Sequence, residues 1–290
     1  MPISYDVPFE EYIAMPGVHF TALTQMAKSP LHYRRAVDNE RKDTAALLMG
    51  RLTHALILTP EVADLAVWRG GARRGKEWKA FLSEATAAGK IVATAAEVET
   101  SERMRDAVHA NPVARELLRE GGSEVTVTWA ERFTHVPPAG PAHDVAVPCR
   151  ARLDHWGPAG LVELKTTRHA GQRAWFREAA ARYYHVQLAH YVTGLQEAAD
   201  VNVGAVWWIV VESVPPYDVA VYRVKREHIE AGDRVRMQWL RRVAECEASG
   251  RWPGAGGDEP IDYVLPDWAA GEGLEDVDMS GIEGEEVEHG

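Results

Sequence analysis

Polar and apolar side chains alternate most cleanly around residues 150–165, and the rest of the chain can be ordered about that stretch. Residues 150–156 repeat with a period of two, as a strand with one buried face does. Gly157, Pro158 and Gly160 then supply a turn, and residues 161–165 alternate again. In that register Glu163 and Lys165 project from one face, while Val162 and Leu164 project from the other into a core. Asp154, at the end of the first strand, falls beside Glu163 across this short hairpin.

Helical periodicity dominates upstream. Residues 8–37 read as helix in two pieces, with Thr21 or Thr24 as an N-cap and Ser29-Pro30 as an interruption. Residues 45–58 put Leu47, Leu48, Leu52, Ala55, Leu56 and Leu58 on one broad apolar face, closed by Pro60. Residues 69–90 form a basic, glycine-containing loop leading into an amphipathic helix, with a phosphate-tracking segment as the other reading, and 95–120 are helix broken near Asn111-Pro112. The first clear strand is 124–129, followed by a proline- and glycine-rich loop at 134–144. Downstream, 171–199 read as two helices with a break near Arg182. Residues 206–211 form a buried strand that 217–224 pairs with across Pro215-Pro216, and 226–249 form a long charged helix.

Composition narrows the class. The chain has 290 residues, 46% hydrophobic and 26% charged, which suits a soluble globular protein with a sizeable core. Two cysteines, Cys149 and Cys246, exclude a disulfide framework or a four-cysteine metal site. The opening segment, with Asp6, Glu10, Glu11 and no basic run, does not read as a signal peptide, and the apolar run at 205–211 is too short to span a bilayer. The expectation is a cytoplasmic protein with no membrane partner. The net charge of −11 is unevenly spread: residues 254–290 hold twelve acidic residues and no Lys or Arg. The body before them is nearly neutral and rich in arginine, so a local basic groove is compatible with the total. A domain over 1–268 is expected, helical over about 1–120 and with its core at 121–253, then a disordered acidic tail at 269–290.

The hairpin carries the candidate chemistry. Two carboxylates suit a hard cation such as Mg²⁺ or Mn²⁺, and an adjacent ammonium group can orient water or stabilise charge on a phosphate. Glu-x-Lys alone says little, since it also occurs at Glu40–Lys42 and Glu77–Lys79, and a structural ion pair is the competing reading for Asp154, Glu163 and Lys165. Gly50 and His54 are four apart on one helix face, and a helical glycine hints that something approaches closely. A packed, satisfied histidine is the alternative for His54. Gln187 and Tyr191 likewise share a helix face, next to Tyr183 and Tyr184. Walker-type loops, dinucleotide fingerprints and paired-cysteine zinc motifs are absent from the sequence.

Taken in order, Asp154, Glu163-Leu-Lys165 and Gln187-Leu-Ala-His-Tyr191 resemble the PD-(D/E)xK nuclease superfamily, and the Gln-x-x-x-Tyr helix resembles its RecB-like exonuclease branch. Gly50-Arg-Leu-Thr-His54 is similar to the helix that supplies an extra metal ligand in that branch. Residues 23–34 and Gly250-Arg-Trp-Pro-Gly254 resemble phage and prophage RecE-type exonucleases, the exodeoxyribonuclease VIII group. The resemblance spans roughly 5–268 and implies an α/β fold, a mixed central sheet flanked by helices with a helical N-terminal region. It implies metal ligation by His54, Asp154, Glu163 and the Leu164 carbonyl, with Lys165 catalytic and Gln187 and Tyr191 supporting. Glu124 matches an additional acidic position. Leu153 stands where the motif's proline would, at a tolerant position. The implied activity is Mg²⁺-dependent exonuclease digestion of linear double-stranded DNA from its ends, with one or two ions per site and Mn²⁺ as a substitute. It also implies phage-type recombination, a single-strand annealing partner and a homo-oligomer. Arg150 and Arg152 flank the hairpin as weak candidates for DNA phosphates. An endonuclease or single-strand nuclease of the same superfamily, or a non-catalytic DNA-binding recombination protein, are the alternatives.

Overall fold

The structure is a computed structural model that describes residues 3–5, 7–39, 44–137, 140–257, 260 and 262–265. The chain opens with β1 (Ile3–Ser4), α1 (Phe9–Ala14), α2 (Phe20–Leu23), a 3-10 turn (Thr24–Ala27) and α3 (Pro30–Asp38). The Ser29 hydroxyl accepts the His32 N–H at 3.3 Å and Pro30 occupies the first helical turn. The expected interruption is therefore a helix start: a hydroxyl cap with a proline whose missing N–H costs nothing there. Neither Thr21 nor Thr24 caps a helix through its side chain.

Next come α4 (Ala45–Leu58), β2 (Leu65–Trp68), α5 (Gly75–Ala87), β3 (Ile91–Thr94), α6 (Ala95–Ala110) and α7 (Pro112–Leu117). Thr44 caps α4, and a reciprocal Thr94/Glu97 capping box starts α6. β2 and β3 pair in parallel around α5, a small unit that the sequence pattern did not display, since each strand has four residues. Its strands pack with Leu52 and Leu56 of α4.

The main sheet is built from β4 (Gly122–His135), β5 (His143–Gly157), β6 (Gly160–Thr167), β7 (Val206–Glu212) and β8 (Val219–Val224), with α8 (Gln172–Ala181) and α9 (Tyr184–Ala199) between β6 and β7. Strand order is β1-β4-β5-β6-β7-β8, antiparallel except for the parallel β6/β7 pair. The last element among the described residues is α10 (Arg226–Ser249), as the charge pattern predicts. The fold class expected from the resemblance, a mixed sheet flanked by helices, is thus the observed one. β4 and β5 run further into the 134–144 loop than the pattern suggests, because cross-strand pairing continues to His135↔His143.

One face of the sheet packs Val125, Val127, Leu153, Leu188 and Trp175 into a core with α8 and α9. The other buries Val162, Leu164, Ile209 and Val211 against α4, α6 and α7. β6 therefore places Glu163 and Lys165 opposite Val162 and Leu164, as its alternation requires. Gly160, at φ +111°, lies so near the Ala205 carbonyl that a Cβ there would sit 2.0 Å from its oxygen. Only glycine meets both demands of the turn. Contact grouping separates Met1–Gly254 from Ala255–Gly290, and the second part carries no helix or strand among its described residues. The acidic segment 269–290 lies outside the described residues. Among those described, no helix is long and apolar enough to cross a membrane.

Candidate metal centre and active site

β5 and β6 pair only over His155↔Val162, Trp156↔Leu161 and Gly157↔Gly160, after which they separate. Asp154 and Glu163 would be the next pair. The Asp154 carboxylate fills the opening, its Oδ2 accepting the Leu164 N–H at 2.7 Å. The Leu161 N–H reaches Ala205 on one side, so by alternation Leu164 turns both its N–H and its carbonyl toward the open β5 side.

On the other flank of β5, every residue from Gly122 to His135 pairs with β5 except Glu124. Glu124 stands opposite Asp154 in register with φ 54°, a left-handed conformation that costs a side-chain-bearing residue about 1–3 kcal/mol. Three carboxylates thus lie in one row across β4, β5 and β6.

His54 reaches this row from α4, its Nδ1 3.3 Å from Asp154 Oδ1. His54, Glu124 and Asp154 offer ligand atoms that all lie within 4.8 Å of one another. Glu163 is not part of that tight trio. It is 1% exposed, and its Oε1 accepts from both Lys165 Nζ (2.6 Å) and Gln187 Nε2 (2.7 Å). Its Oε2 is buried with no hydrogen-bond donor among the described residues. Gln187 also donates to the Tyr191 hydroxyl at 2.8 Å, so the helix pair anticipated on α9 meets β6 through Glu163.

Electrostatics follow from this crowding. Burial opposes ionisation of Asp154, but His54, Lys165 and the Leu164 N–H together hold its pKa below the usual carboxylate range. Burial and the Asp154 charge push Glu163 up to about 7, against the pull of Lys165. Burial works against a charged His54, yet Asp154 and Glu124 raise it to about 9. Burial disfavours the Lys165 ammonium too, and Glu163, Tyr184 and Asp154 outweigh it, keeping the group charged. His54, Lys165 and Arg152, which pairs with Glu124, therefore face the acidic row as its cations.

The donor set, carboxylate oxygens with one imidazole, fits a hard divalent cation, and the unpartnered Glu163 oxygen is what such an ion would satisfy. His54, Glu124 and Asp154 are the residues that would hold it, with Glu163 next along the row and the Leu164 carbonyl on the same edge.

Arg150 is 7% exposed; it donates to the Tyr12 carbonyl and stacks on the Tyr12 ring. Arg152 pairs with Glu124, donates to the Val7 carbonyl at 3.0 Å and lies over Phe9 and Tyr12. Both guanidinium groups hold the N-terminal segment to β5. Around Gly50, beyond its own helix backbone, no atom of the described residues lies within 4 Å of where a Cβ would sit, so the expected close approach is not made among them. Sequence reasoning assigned no task to Tyr12 or Tyr184. For Tyr184 the signal was present, since it stands three residues before Gln187 and so on its helix face.

A mixed sheet whose catalytic-type hairpin splits around an aspartate, with Glu-x-Lys on the next strand, defines the PD-(D/E)xK class. The chain belongs to the family described as PDDEXK-like domain of unknown function (DUF3799), whose model matches residues 19–264. Among solved structures it resembles the "Putative exonuclease" of Eubacterium rectale, with a TM-score of 0.57 and 11% identity, over 93% of this chain and 100% of that one. No curated protein matches it.

Proposed function

We propose that the protein is a divalent-metal-dependent deoxyribonuclease that hydrolyses phosphodiester bonds from the ends of linear double-stranded DNA. The observation that carries this reading is the state of Glu163: one oxygen is saturated by Lys165 and Gln187, and the other is buried and unpartnered beside the His54, Glu124 and Asp154 trio. A purely structural ion pair has no reason to bury a bare carboxylate oxygen. End-dependence and a role in phage-type recombination are supported by the ordered motifs that resemble RecE-type exonucleases. The exonuclease description of the Eubacterium rectale protein is in keeping with them.

A Mg²⁺ ion, or Mn²⁺ in its place, held by His54, Glu124, Asp154 and Glu163, would lower the pKa of a bound water and neutralise phosphate charge. Lys165 spends one of its three donors on Glu163, leaving two to hold an attacking water and a phosphate oxygen. Gln187 fixes the Glu163 carboxylate, and Tyr191 fixes Gln187. His54 orients Asp154, which in turn anchors β6 through the Leu164 N–H.

Linear and covalently closed circular duplexes, each with Mg²⁺ or EDTA, test the reading against wild type and Lys165→Ala. Loss of the linear DNA alone, abolished by EDTA and by the substitution, is expected. Cutting of the circle makes the enzyme an endonuclease. Intact DNA of both forms with Mg²⁺ and Mn²⁺, despite binding, refutes catalysis.

A further inference from the structure

Among the described residues the Lys165 ammonium touches two groups. One is Glu163; the other is the ring of Tyr184, whose centroid lies 4.6 Å from Nζ. Tyr184 opens α9, and the chain enters that helix through Tyr183 at φ 57°, a left-handed residue directly before it. The Tyr184 ring is backed by Trp175, which is fully buried, at a centroid separation of 5.7 Å. One turn further along the same face, Gln187 holds the carboxylate that Lys165 pairs with. The first turns of α9 therefore hold both halves of the Glu163–Lys165 pair.

We infer that Tyr184 is a positioning residue for Lys165, fixing the ammonium through its ring face. The chemistry favours a ring over a second hydrogen-bond acceptor. An aromatic face attracts a cation without consuming an N–H, so the two donors not given to Glu163 stay available for water and phosphate. A lysine on a flexible four-carbon stem, drawn only by the acidic row, has no other element to set its height above the sheet. A polar acceptor in the place of Tyr184 would restrain it equally well but take a donor from the reaction. This inference rests on the proposed function, in which Lys165 acts on the substrate.

The test compares wild type, Tyr184→Phe, Tyr184→Leu, Lys165→Ala and the Tyr184→Leu/Lys165→Ala double variant at saturating metal. Thermal midpoints are recorded alongside kcat and KM. Tyr184→Leu is expected to lower kcat about tenfold with KM for DNA unchanged, and Tyr184→Phe, which keeps the ring, to stay within about twofold of wild type. On the Lys165→Ala background, read as residual cleavage at high enzyme concentration, the Leu substitution should cost nothing more, because the partner it positions is gone. A readout on the wild-type protein itself is the proton NMR shift of the Lys165 ε-methylene. It should move upfield under the ring current, stay there in Tyr184→Phe and revert in Tyr184→Leu. Loss in Tyr184→Phe equal to that in Tyr184→Leu, additive losses in the double variant, or an unshifted wild-type ε-methylene each overturn the inference. If Lys165→Ala is as active as wild type, the assignment of Lys165 fails, and a ring-shifted methylene then leaves Tyr184 as a packing contact only.

Discussion

Glu124 stands directly across from Asp154 in the β4/β5 register, at the one position between Gly122 and His135 where that ladder is unpaired. On its other side Asp154 faces Glu163 where the β5/β6 ladder ends. Two interruptions of ordinary strand pairing therefore meet at a single residue, and the backbone hydrogen bonds given up there are exchanged for a row of carboxylates. Two consequences of that row, and two of the packing around it, can be measured.

Replacing Asp154 by Asn removes the charge that His54, Lys165 and the Leu164 N–H all address. Divalent-ion uptake, followed by calorimetry with Mn²⁺, is expected to weaken at least tenfold, and turnover to fall by about 10² or more. Wild-type ion affinity in Asp154→Asn would remove the residue from the ligand set.

Ion binding should release protons. A ligating imidazole must be neutral, yet His54 is held at about 9 and so carries a proton at pH 7.5. Glu163, at about 7, gives up a further fraction as the pH rises from 6 to 8. Affinity should therefore climb with pH up to about 9 and level off above it. Calorimetry in two buffers of different ionisation enthalpy measures the protons directly. A pH-independent affinity would contradict the arrangement.

His190 lies fully buried against Trp129, its Nε2 3.1 Å from the Arg150 carbonyl, and burial lowers its pKa from 6.5 to about 3. A depressed histidine contributes stability above its unfolded pKa and loses it as the pH falls from 6.5 toward 3. The loss amounts to about 1 kcal/mol per pH unit in that window. The thermal midpoint of wild type should fall more steeply between pH 6.5 and 4.5 than that of His190→Gln. Parallel profiles would argue against it.

Gly232 of α10 faces the backbone of α9, where a Cβ would meet the His185 carbonyl oxygen at 2.2 Å. Gly→Ala ordinarily gains up to about 1 kcal/mol inside a helix. Here overpacking should cost about 1–3 kcal/mol, for a net loss visible in urea unfolding. Stabilisation by Gly232→Ala would show that the helices can move apart freely.

The helices and the central hairpin were legible because their periodicities are unmixed, as in α10 and in β6, where Val162 and Leu164 alternate with Glu163 and Lys165. The pattern was silent on β1, β2 and β3, strands of two to four residues that are too short to display a period. At the site, residue types and order singled out His54, Asp154, Glu163, Lys165, Gln187 and Tyr191, and the fold brings all six together. What the sequence lacked was geometry. The left-handed backbone of Glu124 and its closeness to His54 depend on a strand register that only pairing creates. Arg150 and Arg152 looked available for phosphate, but their engagement with Tyr12 and Val7 depends on an N-terminal segment more than 130 residues away in the chain.

Gly160–Thr167 carries the candidate site residues Glu163 and Lys165 and the core residues Val162 and Leu164 on alternate positions of one eight-residue strand. A single-residue insertion or deletion within it would exchange the two faces, sending Glu163 and Lys165 toward Ile209 and Val211 and turning leucine and valine toward Gln187 and Tyr184 of α9. Descendants of this sequence can drift by substitution at either face independently, but a change of length in β6 forfeits both at once. Length variation among its relatives should therefore fall in the connections between elements and spare this strand.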